Sequence, residues 1–124
     1  MQFVSARQQQ EWNDSRLSSR VKEIVNDAAA YAQQHHGWEF TITSIYRTPA
    51  EDAALHGHGI HPAWRAVDVR NKDQSEAANA DVTSYINGRW VYDPARPALQ
   101  VCFSEPHGTG KHAHYQVHPN TKRR

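Results

Sequence analysis

From residue 12 to 35 the apolar side chains Trp12, Leu17, Val21, Ile24, Val25, Ala28, Tyr31 and Ala32 recur at steps of mostly three and four; after Gly37 the rhythm switches to every second residue, with Trp38, Phe40 and Ile42 alternating with Glu39, Thr41 and Thr43. The first rhythm is one stripe of a helix and the second is one face of a strand. A chain that runs a long amphipathic helix straight into a half-buried strand must pack helix on sheet. The spacing predicts one helix over 12–35, capped by Asp14 or Ser15 and stopped at Gly37, where a left-handed residue is needed, and then a strand to about Tyr46.

Further along, Thr48 and Pro49 open a short helix over 50–55, and the run His-Gly-His-Gly-Ile-His-Pro at 56–62 reads as a loop. Residues 65–70 read as a strand, and Asp73-Gln-Ser-Glu76 has the capping-box pattern of a helix reaching about Asn87, before Gly88. Asp93, Pro94 and Pro97 make a turn. Two strands follow, a buried one at 99–103 and another at 112–118, joined through Gly108-Thr109-Gly110. The whole chain of 124 residues fits one domain, with no repeat or linker to divide it. The expected fold class is α+β, a small, mainly antiparallel sheet packed with helices.

Fourteen Lys and Arg against thirteen Asp and Glu give a net charge of +1. That balance argues against a dedicated nucleic-acid binder, whose affinity comes from neutralising many phosphates. The single Cys102 excludes an intramolecular disulfide and a cysteine-rich structural zinc site. The first ten residues hold only Met1, Phe3, Val4 and Ala6 as apolar, so no signal peptide is expected and a cytoplasmic, reducing setting is; no window is apolar enough for a membrane span.

The chemistry concentrates at histidine, since seven of nine His lie between positions 56 and 118. In His112-Ala-His114 the strand period puts both imidazoles on one face with Gln116, leaving Ala113, Tyr115 and Val117 on the other. His61 and Asp68 stand at the end of the glycine-rich loop and within the next strand. Two imidazoles and one carboxylate are good zinc donors and leave a fourth position for water, as in catalytic rather than structural sites.

These residues resemble a known family, the zinc D-alanyl-D-alanine carboxypeptidases and phage endolysin-type peptidases that share a fold with the hedgehog signalling domain. The resemblance runs over about 40–117, through Thr43-Ser-Ile-Tyr-Arg47-Thr48, His61 with Asp68 in Arg65-Ala-Val-Asp68-Val, Glu105 and His112-Ala-His114. It implies that His61, Asp68 and His114 bind Zn2+, that Glu105 is the catalytic base, that Arg47 grips the substrate and that His112 supports the ligands or the oxyanion. Gly59 and Trp64 stand where the family usually has Ser and Gly, and Glu105 lies farther from the last His than is common there.

Plainer roles compete for the same residues. His61 and Asp68 suffice for a charged hydrogen bond, Arg47 for a surface ion pair with Glu51 or Asp52, Glu105 for a loop carboxylate and His112 for a solvent-facing strand residue. His56, His58 and His107 are alternative ligands or rim residues, and His107 an alternative base. The expectation is a monomeric zinc peptidase that cuts an amide bond in the peptide part of bacterial peptidoglycan, a phage or prophage lysis enzyme released to the wall by another protein. Its rivals are a zinc-binding module without activity and a virion structural or assembly component.

Overall fold

The computed structural model describes residues 1–55, 57, 59–107 and 110–124, with the side chains of 105–107, 110 and 111 left aside. In chain order the elements are β1 (Gln2–Phe3), α1 (Ala6–Trp12), α2 (Ser19–His36), β2 (Thr41–Ser44), α3 (Pro49–Ala54), β3 (Ala66–Arg70), α4 (Glu76–Arg89), β4 (Trp90–Val91), β5 (Cys102–His107), β6 (Gly110–Gln116) and β7 (Lys122–Arg123). Five strands form one sheet in the order β1-β2-β3-β6-β5, and β4 pairs with β7 apart from it. The β1–β2 ladder is parallel, while β2–β3, β3–β6 and β5–β6 are antiparallel, so the α+β class holds with a mixed sheet.

The predicted helix over 12–35 begins only at Ser19, as α2, and Trp12 instead ends the separate α1. Ser18 caps α2 by accepting from the Val21 N–H, and the turn before it is closed by the Leu17 N–H on the Asp14 carbonyl. Leu17 is buried although it lies outside the helix, which is why the apolar rhythm runs unbroken through the turn. Neither Asp14 nor Ser15 is the cap, but Gly37 ends the helix in the left-handed conformation, φ 59°. Ser75, not Asp73, caps α4 by accepting from the Ala78 N–H, and the helix continues through Gly88 to Arg89. The strand predicted at 99–103 starts at Cys102, with Leu99 41% exposed.

One face of the sheet meets the helices. Val67 and Val69 of β3 and Ala113 and Tyr115 of β6 pack in one cluster with Val21, Ile24, Val25 and Ala28 of α2 and with Val82 and Ile86 of α4. The alternate residues Asp68, His114 and Gln116 are thereby sent to the opposite face, where they are nonetheless buried. Among the described residues no helix is long and apolar enough to cross a membrane.

Two glycines give opposite expectations. Ala at position 37 would sit in a left-handed conformation, so Gly37→Ala is expected to lose about 1 kcal/mol. Gly88 lies in a helix, with open space where a Cβ would go, and Gly88→Ala is expected to gain about 0.5–1 kcal/mol. Thermal unfolding of both variants checks the pair.

Candidate metal centre

The β3–β6 register sets Asp68 directly opposite His114, and His112 one step along opposite Arg70. The turn before β3 brings His61 to the same place: the Ala63 and Arg65 N–H groups close on the Ile60 carbonyl, and the Trp64 N–H on that of His61. Trp64 takes φ 59°, a conformation that favours glycine and costs a bulky residue about 1–2 kcal/mol. Its ring is stacked on Tyr46 at 4.5 Å and lies under the Arg16 guanidinium at 4.6 Å, contacts that offset the strain.

His61, Asp68 and His114 are all buried, and one ligand atom from each lies within 4.8 Å of the others. The Nδ1 of His61 is 2.7 Å from the Ile45 carbonyl oxygen. A carbonyl only accepts, so Nδ1 carries the proton and Nε2 presents its lone pair. That Nε2 is buried without a hydrogen-bond partner and stands 3.4 Å from Asp68 Oδ2. At His114 the arrangement is reversed. Gln116 donates Nε2–H to the Gln100 carbonyl, which turns its Oε1 toward His114 Nε2 at 3.2 Å. His114 therefore donates from Nε2 and aims its Nδ1 lone pair at Asp68 Oδ1, 2.9 Å away.

The Arg47 guanidinium, 2.7 Å from Asp68 Oδ2, answers the carboxylate but not the two imidazole lone pairs that face it, and those stay repulsive until a cation stands among them. A proton shared by His114 and Asp68 relieves one contact and leaves His61 Nε2 orphaned; a metal ion relieves all of them. The 3.4 Å separation of His61 Nε2 and Asp68 Oδ2 is close to the edge of a tetrahedron built on zinc bonds of ~2.0–2.2 Å, roughly 3.3–3.6 Å. The residues could hold a metal ion, with a carbonyl and a carboxamide fixing the two imidazoles from behind. Burial pushes the Asp68 carboxyl up, but N–H donors and positive charge on the His114 and His61 side outweigh it and hold it well below the ordinary carboxylate range, the part a bound cation would take over when the two lone pairs face it.

The other expected residues fall as follows. Arg47 is no surface ion pair with Glu51, which instead binds Arg7. Its guanidinium lies 2.7 Å from Asp68 Oδ2 and 3.5 Å from Asp52 Oδ1. His112 lines the same cavity, of about 120 Å³, with Nε2 3.6 Å from Asp68 Oδ2. Glu105 occupies the β5 register position opposite His112, but its side chain and that of His107 lie outside the described residues, as do His56 and His58. Cys102 is buried and its thiol is pushed up to about 12 by that burial, so it is no nucleophile at neutral pH.

Sequence reasoning offered Asp52 only as a surface partner for Arg47, because its place on a short helix looks solvent-facing. It is 4% exposed, and its Oδ2 accepts the Gly59 N–H, which ties α3 to the loop that leads to His61. A Cβ at Gly57 would fall on this carboxylate, so the glycine is required for the close approach. Gln116 was placed on the right face without a role. Because it holds the His114 tautomer, Gln116→Leu is expected to weaken zinc binding about 10- to 100-fold with the fold intact. Titration calorimetry checks this, and unchanged affinity would mean the tautomer is set elsewhere. No protein-family model matches the chain, and comparisons with curated proteins and with solved structures return no match.

Proposed function

We propose that the protein is a zinc-dependent peptidase of the hedgehog/DD-peptidase type that hydrolyses an amide bond in the peptide part of bacterial peptidoglycan, in the manner of a phage lysis enzyme delivered to the wall by another protein. The observation that carries the metal half of this reading is the orphaned, buried Nε2 of His61 facing the Asp68 carboxylate and the His114 lone pair. The wall substrate comes from the resemblance of Thr43-Ser-Ile-Tyr-Arg47, His61, Asp68 and His112-Ala-His114 to that family.

Zinc held by His61, Asp68 and His114 would supply Lewis acidity and a water acidified to near neutrality. Glu105 is the group assigned to take a proton from water and return it to the leaving amine nitrogen. Arg47 keeps guanidinium N–H groups at the cavity, where they serve a substrate carboxylate or the oxygen that gains charge during attack, and His112 offers a second donor there. Its two carboxylate partners hold Arg47 in place before substrate arrives.

Purified cell wall treated with the zinc-loaded protein is expected to release new amino groups, with loss of the reaction on chelation and recovery on adding zinc. Release of new reducing sugar ends without amines overturns the peptidase reading. Tight zinc binding with no amine release would leave a zinc-binding module without activity.

A further inference from the structure

Positive charge is concentrated around the β4–β7 ribbon. The guanidinium of Arg20, in the first turn of α2, lies 5.3 Å from the Trp90 ring, and that of Arg123 lies 5.4 Å from it. The ribbon register sets Arg123 opposite Trp90, and the Arg124 N–H closes on the Arg89 carbonyl at the end of α4. Arg20, Arg89, Arg123 and Arg124 therefore cluster, with Lys122 on the other face of the ribbon, opposite Val91. Against these five cations stand Asp27, which binds Arg89 at 2.8 Å, and Glu23, 3.7 Å from Arg20. The ribbon keeps an excess of three positive charges in a chain of net charge +1, so the other residues together carry a net −2.

The way these cations are held sets them apart. Arg7, Arg16 and Arg96 are each paired with a carboxylate that cancels their charge. Among the described residues Arg123 has no carboxylate partner and lies over an indole, while Arg124 donates from Nε to the Asn87 carbonyl at 3.0 Å. A ring face or a carbonyl orders a cation without neutralising it. Asp93, on the adjoining turn, does not make up the deficit, because it is taken by Arg96 and the Ala95 N–H. Guanidiniums ordered before a ligand arrives lose less freedom on binding, and their planar forks match phosphate oxygens.

We infer that this ribbon is an anchoring surface for a linear phosphodiester polymer, the anionic chain that a bacterial wall carries beside its peptidoglycan. Trp90 packs in one cluster with Val21 and Ile24 of α2 and Val82 and Ile86 of α4, so the ribbon belongs to the helix side of the sheet, and Asp68 and His114 lie on the opposite face. A polymer held there leaves the metal cavity open. Trp90 is 2% exposed and Tyr92 5%, which leaves no ring on which the bases of a nucleic acid could stack. The exposed large hydrophobic residues Met1, Val4, Leu55 and Leu99 lie outside the ribbon, α2 and α4, so a membrane finds nothing apolar to bury beside the cations. The choice of wall polymer rests on the function proposed above, whereas the docking of a phosphodiester chain does not.

The test is calorimetry of the full chain with synthetic poly(glycerol phosphate) across a series of salt concentrations, with a single-stranded oligonucleotide and phosphatidylglycerol vesicles as rival anions. Affinity for the polymer is expected to fall linearly with salt on logarithmic axes. Arg123→Gln and Arg124→Gln are each expected to weaken binding about fivefold at low salt and to reduce the salt slope by about 0.7. Arg123→Lys keeps the charge and is expected to keep the slope. Lys72→Gln, which removes an exposed cation before the far end of α4, is expected to change neither quantity. Lys122→Gln combined with Arg124→Gln leaves both guanidiniums over Trp90 and covers the case in which Arg123→Gln fails to fold. No binding, equal effects of Lys72→Gln and the arginine variants, or tighter binding of the oligonucleotide or the vesicles would overturn the inference. If the peptidase reading fails, polymer binding persists without amine release from wall. If docking fails, amine release from wall is indifferent to the arginine variants.

Discussion

His61→Ala and His114→Ala are each expected to weaken zinc binding by more than about 100-fold, beyond the loss typical of outer partners of a metal ligand. The effect separates cleanly from folding. In chelator, removing the His61 imidazole deletes a buried nitrogen whose lone pair faces the Asp68 carboxylate, so the lost packing and the lost hydrogen bond to the Ile45 carbonyl count against the variant. With zinc present the wild type gains stability by mass action, about 2.7 kcal/mol at a hundredfold excess over Kd, and neither variant should share in that gain. Thermal unfolding with and without zinc, beside metal analysis of the purified proteins, reads both quantities. Protons compete with zinc for the same two lone pairs, so the zinc-induced shift in Tm is expected to shrink on acidification. Stoichiometric zinc in both variants would place the metal elsewhere in the chain.

The site was largely legible because strand geometry converts sequence parity into faces. Once 112–118 is read as a strand, His114 and Gln116 must oppose Ala113 and Tyr115, and β6 follows that rule, with Ala113 and Tyr115 in the core. Asp68 across from His114 needed the register, which no local pattern encodes. What remained hidden depends on contacts between distant residues. Asp52 looks solvent-facing until Gly57 and Gly59 fold over it, and although the Arg47–Asp52 pair was one of the two expected, the Arg47–Asp68 contact forms only when the chain around α3 meets β3. Trp64 is the most informative departure: a left-handed turn that favours glycine is made here by a bulky residue, whose ring is held between Tyr46 and Arg16.

The fold shows the same division. The long helical stripe and the switch to period two marked α2 and β2 correctly in kind, but the break at 13–18 was invisible because buried Leu17 keeps the rhythm across a turn. The two-residue β1 is too short to alternate, yet by pairing parallel to β2 it makes the sheet mixed. The start of β5 was misplaced because the apolar Leu99 is exposed, while Asn87 binds the backbone of Cys102 from the neighbouring helix.

Glu105→Gln is expected to reduce turnover by about 100- to 10,000-fold while leaving zinc content and thermal stability near those of the wild type. The assignment follows from what a hydrolytic metal site requires and from what the chain supplies near it. Asp68, pinned between Arg47 and two imidazoles and held anionic far below the usual range, is a poor proton acceptor at neutral pH. Asp52 is committed to the Gly59 N–H and to Arg47. Asp93 is bound to the Ala95 N–H and to Arg96, in a turn remote in sequence from the ligands. Glu105 shares its register position with His112, which lines the metal cavity, and so is the acidic residue of β5 set beside the ligand strand. The amide of glutamine keeps nearly the same shape but cannot accept and return a proton, so the loss falls on kcat rather than on metal affinity. His107→Ala, which removes the competing imidazole, is expected to cost little. Near wild-type turnover by a zinc-loaded Glu105→Gln enzyme, with a large loss in His107→Ala, would move the proton transfer to the imidazole.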